Sequence, residues 1–400
     1  MIKFKSRTKY IAIIVLLLLV MAGMWFYQTL YSSTGEALRR AENFLFTRMT
    51  VSQLSEQGTS RYFFVTNRKK ENDDEELLEN RLGNERGAEL KYGVFDASIE
   101  PSVGLGMLIN PSEWFQTEEI IVSNTKALQQ QAFVDQLREQ VKASPQRSLM
   151  MVVHGFRERF PSALRKTVFV GHILDINTPV MLFDWPGDQG SSPRGYRNAH
   201  RVATESGAEL AKTIELIVND VKPDKLWLIA NSMGGQVVAG AFSHLYQNPE
   251  FADAEIEIED VILTAPDVSH EEFDNQFKKE ITSLTRNLTV YVSSNDRALV
   301  MSRIVNLGDS RRGESTLSTD MLAEAVSIAE LIDPDSELVT LVDVTPVNRT
   351  RNFHNFSLET PEFFDDLFLR LTNKQTPHSR GLYHLKTPAG EGYWVLTPGR

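Results

Sequence analysis

The 400-residue chain contains no cysteine. Disulfides, a cysteine nucleophile and cysteine-ligated metal are thereby excluded, and the absence suits an oxidising or a reducing compartment equally. Positive charge is in short supply too, with 42 Lys and Arg against 53 Asp and Glu and a formal net charge of -11. Such a chain repels the phosphates of a nucleic acid, so no nucleic-acid partner is expected. Internal repeats and low-complexity tracts are missing. The histidines and carboxylates show no ligand-like spacing, so neither a metal nor another cofactor is expected.

One long apolar run is present. Lys3, Lys5, Arg7 and Lys9 precede uninterrupted apolar sequence from Ile11 to Tyr27, which as a helix of about 17 residues spans roughly 26 Å, enough for a bilayer with some thinning. A cleaved signal peptide has a shorter apolar region and small residues at its cleavage site. Here the run closes with Trp25, Phe26 and Tyr27, rings suited to a membrane interface. The expectation is an uncleaved single-pass transmembrane anchor with its basic end in the cytoplasm and the remainder in a periplasm or outside the cell. Residues 1–30 form this tip and anchor, 31–60 a stalk with helical spacing over 34–48, 61–372 a globular domain, and 373–400 a hairpin extension.

Within the globular part, strand-like apolar runs occur at 61–66, 92–99, 119–123, 149–154, 180–184, 226–230, 261–265, 288–293 and 338–344. Helical periodicity lies between several of them, at 127–142, 163–174, 196–221, 236–247 and 321–331. Strands alternating with helices predict an α/β fold, a doubly wound, mostly parallel sheet covered on both faces. Residues 67–89 carry Lys69, Lys70, Glu71, Asp73, Asp74, Glu75 and Glu76 in near succession and read as a solvated loop.

Residues 226–235, Leu-Trp-Leu-Ile-Ala-Asn-Ser-Met-Gly-Gly, are the most informative. A buried strand ends in a small-x-Ser-x-Gly turn and opens into a helix, which is the layout of a nucleophile elbow. The turn needs small residues where backbone crowds, here Ala230 and Gly234, and it puts Ser232 at its tip. A serine hydroxyl is a weak nucleophile near neutral pH and needs a base, which in turn needs an orienting acid. His354 follows the last core strand by about ten residues and is the candidate base, while His378 and His384 in the tail read as surface histidines. For the acid, Asp296 follows the strand at 288–293 and is favoured, with Asp267 after the strand at 261–265 as the alternative. An oxyanion takes two backbone N–H donors, one from the residue after the nucleophile, Met233, and one from the loop after an earlier strand. The strand ending His154-Gly155-Phe156 offers the amide of Phe156, with Gly155 permitting the turn. Trp185 either walls a pocket or packs the strand end.

Together, His154-Gly155-Phe156, Asp184-Trp185-Pro186, Asn231-Ser232-Met233-Gly234, Ala265-Pro266-Asp267, Ser294-Asn295-Asp296-Arg297-Ala298-Leu299 and His354 resemble the α/β-hydrolase superfamily. They are similar in particular to a poorly characterised, DUF900-like bacterial branch with esterase or lipase character. Thr66-Asn67-Arg68 is similar to a strand ending near the start of such chains. The resemblance covers about 61–371 and implies an α/β-hydrolase fold, serine hydrolase chemistry and, for the anchor, a bacterial inner membrane. Its departures are Ala230 for the first Gly, Asn231 where His is common, and Asp184-Trp185-Pro186-Gly187 where Ser-Trp-Pro-Ser is usual. The leading expectation is a membrane-anchored serine hydrolase acting on a small-molecule or lipid-like ester, with thioester and amide open. The alternative is a catalytically silent envelope scaffold or binding module on the same fold. Oligomeric state does not follow from the sequence.

Overall fold

The computed structural model describes residues 59–71, 77–99, 120–252, 258–268, 277–293, 339–348, 356–373, 376–386 and 392–398, with Leu17, Val20 and Met21. Apart from those three residues, the expected anchor lies outside the described residues, as do the stalk helix and the helix expected at 321–331. Among the described residues no helix is long and apolar enough to cross a membrane.

Eleven strands form one sheet: β1 (Ser60–Lys70), β2 (Leu82–Ile99), β3 (Ile120–Leu128), β4 (Ser148–Val153), β5 (Val180–Asp184), β6 (Lys225–Asn231), β7 (Ile258–Thr264), β8 (Leu288–Val292), β9 (Val339–Asp343), β10 (Tyr383–Lys386) and β11 (Gly392–Val395). Their order is β10-β11-β9-β8-β7-β6-β4-β5-β1-β2-β3. From β11 across to β1 every neighbouring pair is parallel. β2 and β3 add an antiparallel meander at one edge, and β10 closes the other as the antiparallel partner of β11. The C-terminal hairpin thus extends the main sheet.

Burial on both faces explains the continuous apolar strands. Along β6, Leu226, Leu228 and Ala230 face one core while Trp227 and Ile229 face the other. The first face is covered by α1 (Gln130–Ala143), α3 (Pro193–Leu216) and α4 (Gly234–Gln247), and the second by α2 (Phe160–Leu174) and α6 (Pro361–Asn373). A short α5 (Lys278–Leu284) packs against α4 on the first face. Each fully buried Leu, Val or Phe contributes roughly 1.5–3 kcal/mol relative to exposure, so the two layers fix the strand order firmly. Local signals set the helix ends. Ser192 caps α3 by accepting from the Gly195 N–H at 3.0 Å, with Pro193 in the first turn.

The expected solvated loop at 67–89 is corrected by the structure. β1 runs on through Lys70 and β2 begins at Leu82, so most of that segment is a hairpin arm. Asn67 and Arg68 are fully buried. The described members of the charge run, Lys69, Lys70 and Glu71, are exposed as expected, and Asp73 to Glu76 lie outside the described residues. What the reading missed is the strand pairing and the inward-turned Asn67 and Arg68, the latter with its partner Asp184 far along the chain.

Candidate active site

Parallel neighbours end at the same edge of a sheet, so the loops after β4, β5, β6, β7 and β8 converge at the carboxyl edge. Ser232 follows β6 there. Its φ of 53° is in the left-handed region, which costs a non-glycine residue about 1–3 kcal/mol and persists only where surroundings hold it. They do so on three sides. The Ser232 N–H donates to Thr264 O at 2.9 Å, while its carbonyl accepts from the Gly235 and Asp267 N–H groups at 2.9 and 3.1 Å. The residue is 7% exposed.

The loop after β4 lies directly against this turn. A Cβ on Gly155 would sit 3.0 Å from Asn231 O and 3.1 Å from Ser232 Cβ, and one on Gly234 would sit 2.7 Å from His154 O and 2.8 Å from Val153 O. Gly155 does not adopt a positive φ, so what it gives the turn is space for this contact. The N–H groups of Phe156 and Met233, the expected oxyanion donors, flank the contact, and neither donates to a backbone carbonyl among the described residues.

Asp267 lies beside the elbow through its N–H bond to Ser232 O. Its carboxylate accepts from the Tyr196 hydroxyl, and the Tyr196 ring meets Phe156 edge-on at 5.4 Å. Asp296 and His354 lie outside the described residues. The described residues nearest them along the chain lead to the same region. Ser293 Oγ accepts from Asn348 at 2.7 Å, and Ser357 Oγ accepts from Asn231 Nδ2 at 2.9 Å. His378 and His384 are exposed, and His384 packs on Trp394 at 4.9 Å.

Beneath the loop lies a charged network that the motif reading missed. Asp184, at the end of β5, is fully buried and accepts from Arg68 Nε at 2.7 Å, Arg68 Nη2 at 3.0 Å and Thr66 Oγ1 at 2.5 Å. His154 Nε2 faces Asp184 Oδ1 at 3.0 Å, and His154 Nδ1 faces Gly155 O at 2.9 Å. Burial pushes the Asp184 carboxyl up, but Arg68 and His154 outweigh it and hold it below the usual carboxylate range. Trp185 is fully buried, stacks on His154 with centroids 5.5 Å apart, and donates from Nε1 to His154 O at 2.8 Å. Among the described residues it packs the strand end and has no exposed face. The one available signal was Thr66-Asn67-Arg68, a polar triplet ending an apolar strand, which asks for a buried acid.

An apolar cavity of about 40 Å³ opens beside Gly155 and Asn231, lined on α2 and α6 by Val170, Phe363 and Leu367. That is room for roughly three water-sized groups among the described residues. Among the described residues no group of histidines and carboxylates is arranged to hold a metal ion.

A family model described as "Alpha/beta hydrolase of unknown function (DUF900)" matches residues 129–367. No curated protein matches. Among solved structures, carboxylesterase CesB (YbfK) from Bacillus subtilis matches at 10% identity and a TM-score of 0.35, over 86% of this chain and 99% of that one. So low a score carries no argument about substrate.

Proposed function

The chain belongs to this alpha/beta hydrolase family of unknown function, and from that premise we propose that it is a serine hydrolase acting on carboxylic esters. The observation that carries the reading is Ser232, a non-glycine residue at φ 53° between β6 and α4, packed against the loop that presents the Phe156 amide. A left-handed serine at this junction is the arrangement that lifts a hydroxyl out of the sheet edge.

On this reading, His354 takes the Ser232 proton as Oγ attacks the ester carbonyl, and the Phe156 and Met233 N–H groups receive the charge developing on oxygen. Each such donor contributes about 3 kcal/mol to lowering the barrier. Collapse of the intermediate expels the alcohol with the proton from His354. Water then attacks the acyl-enzyme by the same route and releases the acid and Ser232. Asp296 orients His354, with Asp267 as the alternative. For Asp296 and His354, support comes from their neighbours, since Ser293 and Ser357 both belong to segments bonded at the carboxyl edge. For Asp267, its N–H bond to Ser232 favours proximity, while the Tyr196 hydroxyl already occupies one carboxylate oxygen.

The basic tip and apolar run at the N-terminus support a bacterial inner-membrane anchor, with the hydrolase domain on the outer side. Turnover of a panel of short-chain and long-chain aryl esters by the full chain in detergent tests the proposal. Wild type should hydrolyse at least one, with Ser232→Ala and His354→Ala reduced to background. Undiminished turnover by Ser232→Ala sinks it, and a folded wild type inert towards every ester, thioester and amide favours the binding-module alternative.

A further inference from the structure

His154 sits on the loop that carries Phe156, yet its ring turns away from solvent at 4% exposure. Both ring nitrogens face oxygen, Gly155 O at 2.9 Å from Nδ1 and Asp184 Oδ1 at 3.0 Å from Nε2. A carbonyl can only accept, so Nδ1 carries a proton and donates it to Gly155 O. The Gly155 carbonyl and the Phe156 N–H belong to one peptide unit, which is planar and trans, so the two point in opposite directions. Holding the oxygen toward His154 therefore holds the N–H toward the opposite side.

We propose that His154 is a positioning residue that locks the Gly155–Phe156 peptide with its N–H aimed as an oxyanion donor, and that Asp184 and Arg68 set the His154 ring for that task. The inference rests on the serine hydrolase reading of the same site. Two further contacts define the ring's position. Trp185 stacks on it with an interplanar angle of 4°, and the two-point Arg68 contact fixes Asp184. Arg68 is in turn fixed by donating from Nη2 to Glu158 O at 2.8 Å and Trp185 O at 2.7 Å. A peptide flip at Gly155 would break the His154 bond and point a carbonyl oxygen where the donor should be. The network thus stands to a backbone amide as the triad acid stands to its histidine: it removes the unproductive orientation before substrate arrives.

The test compares wild type with His154→Leu and Asp184→Asn, the second retaining the shape of the side chain. Turnover is counted per serine labelled by a fluorophosphonate at its endpoint, so misfolded protein drops out of the rate. Each variant should lose about 10²–10³-fold in kcat, the effect of one missing oxyanion donor, with KM within about twofold of wild type. Wild type should also prefer an oxoester over the matching thionoester, because the site is built for oxygen, and that preference should shrink in both variants. A structural role alone leaves the preference intact, so an unchanged oxoester-to-thionoester ratio overturns the proposal, as does wild-type kcat in either labelled variant. A folded wild type that neither labels nor turns over ester overturns the hydrolase reading, and this one with it.

Discussion

Gly234→Ala adds a single methyl group at the tightest approach in the site. The new Cβ would lie 2.7 Å from His154 O and 2.8 Å from Val153 O, about 0.6 Å short of ordinary van der Waals contact. Both oxygens belong to backbone at the end of β4, which is held by parallel pairing to β5 on one side and β6 on the other. The strand therefore stays, and the displacement falls on the elbow and the first turn of α4. Overpacking of this kind costs about 1–3 kcal/mol, at about 2–4 °C of Tm per kcal/mol for a domain approaching this size. The larger effect is on rate. Ser232 and the Met233 N–H move with the elbow while the Phe156 N–H stays with the β4 loop, and a misplacement approaching 1 Å costs about 10²-fold. The expected outcome is a drop in kcat of at least about tenfold per labelled serine, with a Tm lower by several degrees. Wild-type kcat and Tm would refute the reasoning, because they would mean that the elbow and the β4 loop are not in rigid contact.

Three further outcomes follow from buried polar groups. Arg68→Met should destabilise the fold by about 3–5 kcal/mol in urea unfolding, because it strands the Asp184 carboxylate without its cation; Arg68→Lys should recover little of it, lacking the two-point contact. Trp185→Phe removes the donor 2.8 Å from a buried carbonyl, and should cost about 1–3 kcal/mol by the same measurement. Burial raises Asp260 from 3.8 to about 6 despite its bond to Arg370. An acid whose folded value is raised binds more protons folded than unfolded, so its contribution to stability is full below pH about 3.8 and is lost as pH climbs to about 6. Comparison of urea midpoints at pH 4 and 7 should show that loss in wild type, about 1–3 kcal/mol relative to Asp260→Asn. Equal pH slopes for the two proteins would contradict it.

The parallel sheet and the elbow were legible because their signals are local. Leu226 to Ala230 is an apolar run long enough for a two-faced strand, and Ala-Asn-Ser-Met-Gly gives the turn at once. The core strands β4 to β9 fall within a few residues of where the apolar runs place them. What stayed hidden depends on pairs far apart in sequence. Arg68 looked like part of a charged loop because its partner Asp184 is 116 residues away, and no period or spacing connects them. His154 read only as the residue before Gly155, since its bond to Asp184 requires β4 and β5 to be neighbours first. Gly155 was singled out as permitting the turn, whereas its crowding by Asn231 and Ser232 is invisible until the loops converge. A hairpin was expected within 373–400, and Tyr383–Lys386 does pair antiparallel with Gly392–Val395, whereas the docking of Gly392–Val395 beside β9 is a tertiary outcome.

The central claim is that Ser232 is an activated nucleophile. It is tested most directly by treating the full chain with a fluorophosphonate, digesting it and locating the adduct by mass spectrometry. The account predicts one adduct per chain, on Ser232, absent after Ser232→Ala and slowed at least about tenfold in His154→Leu. An adduct on another serine, or none on a folded chain, would contradict it.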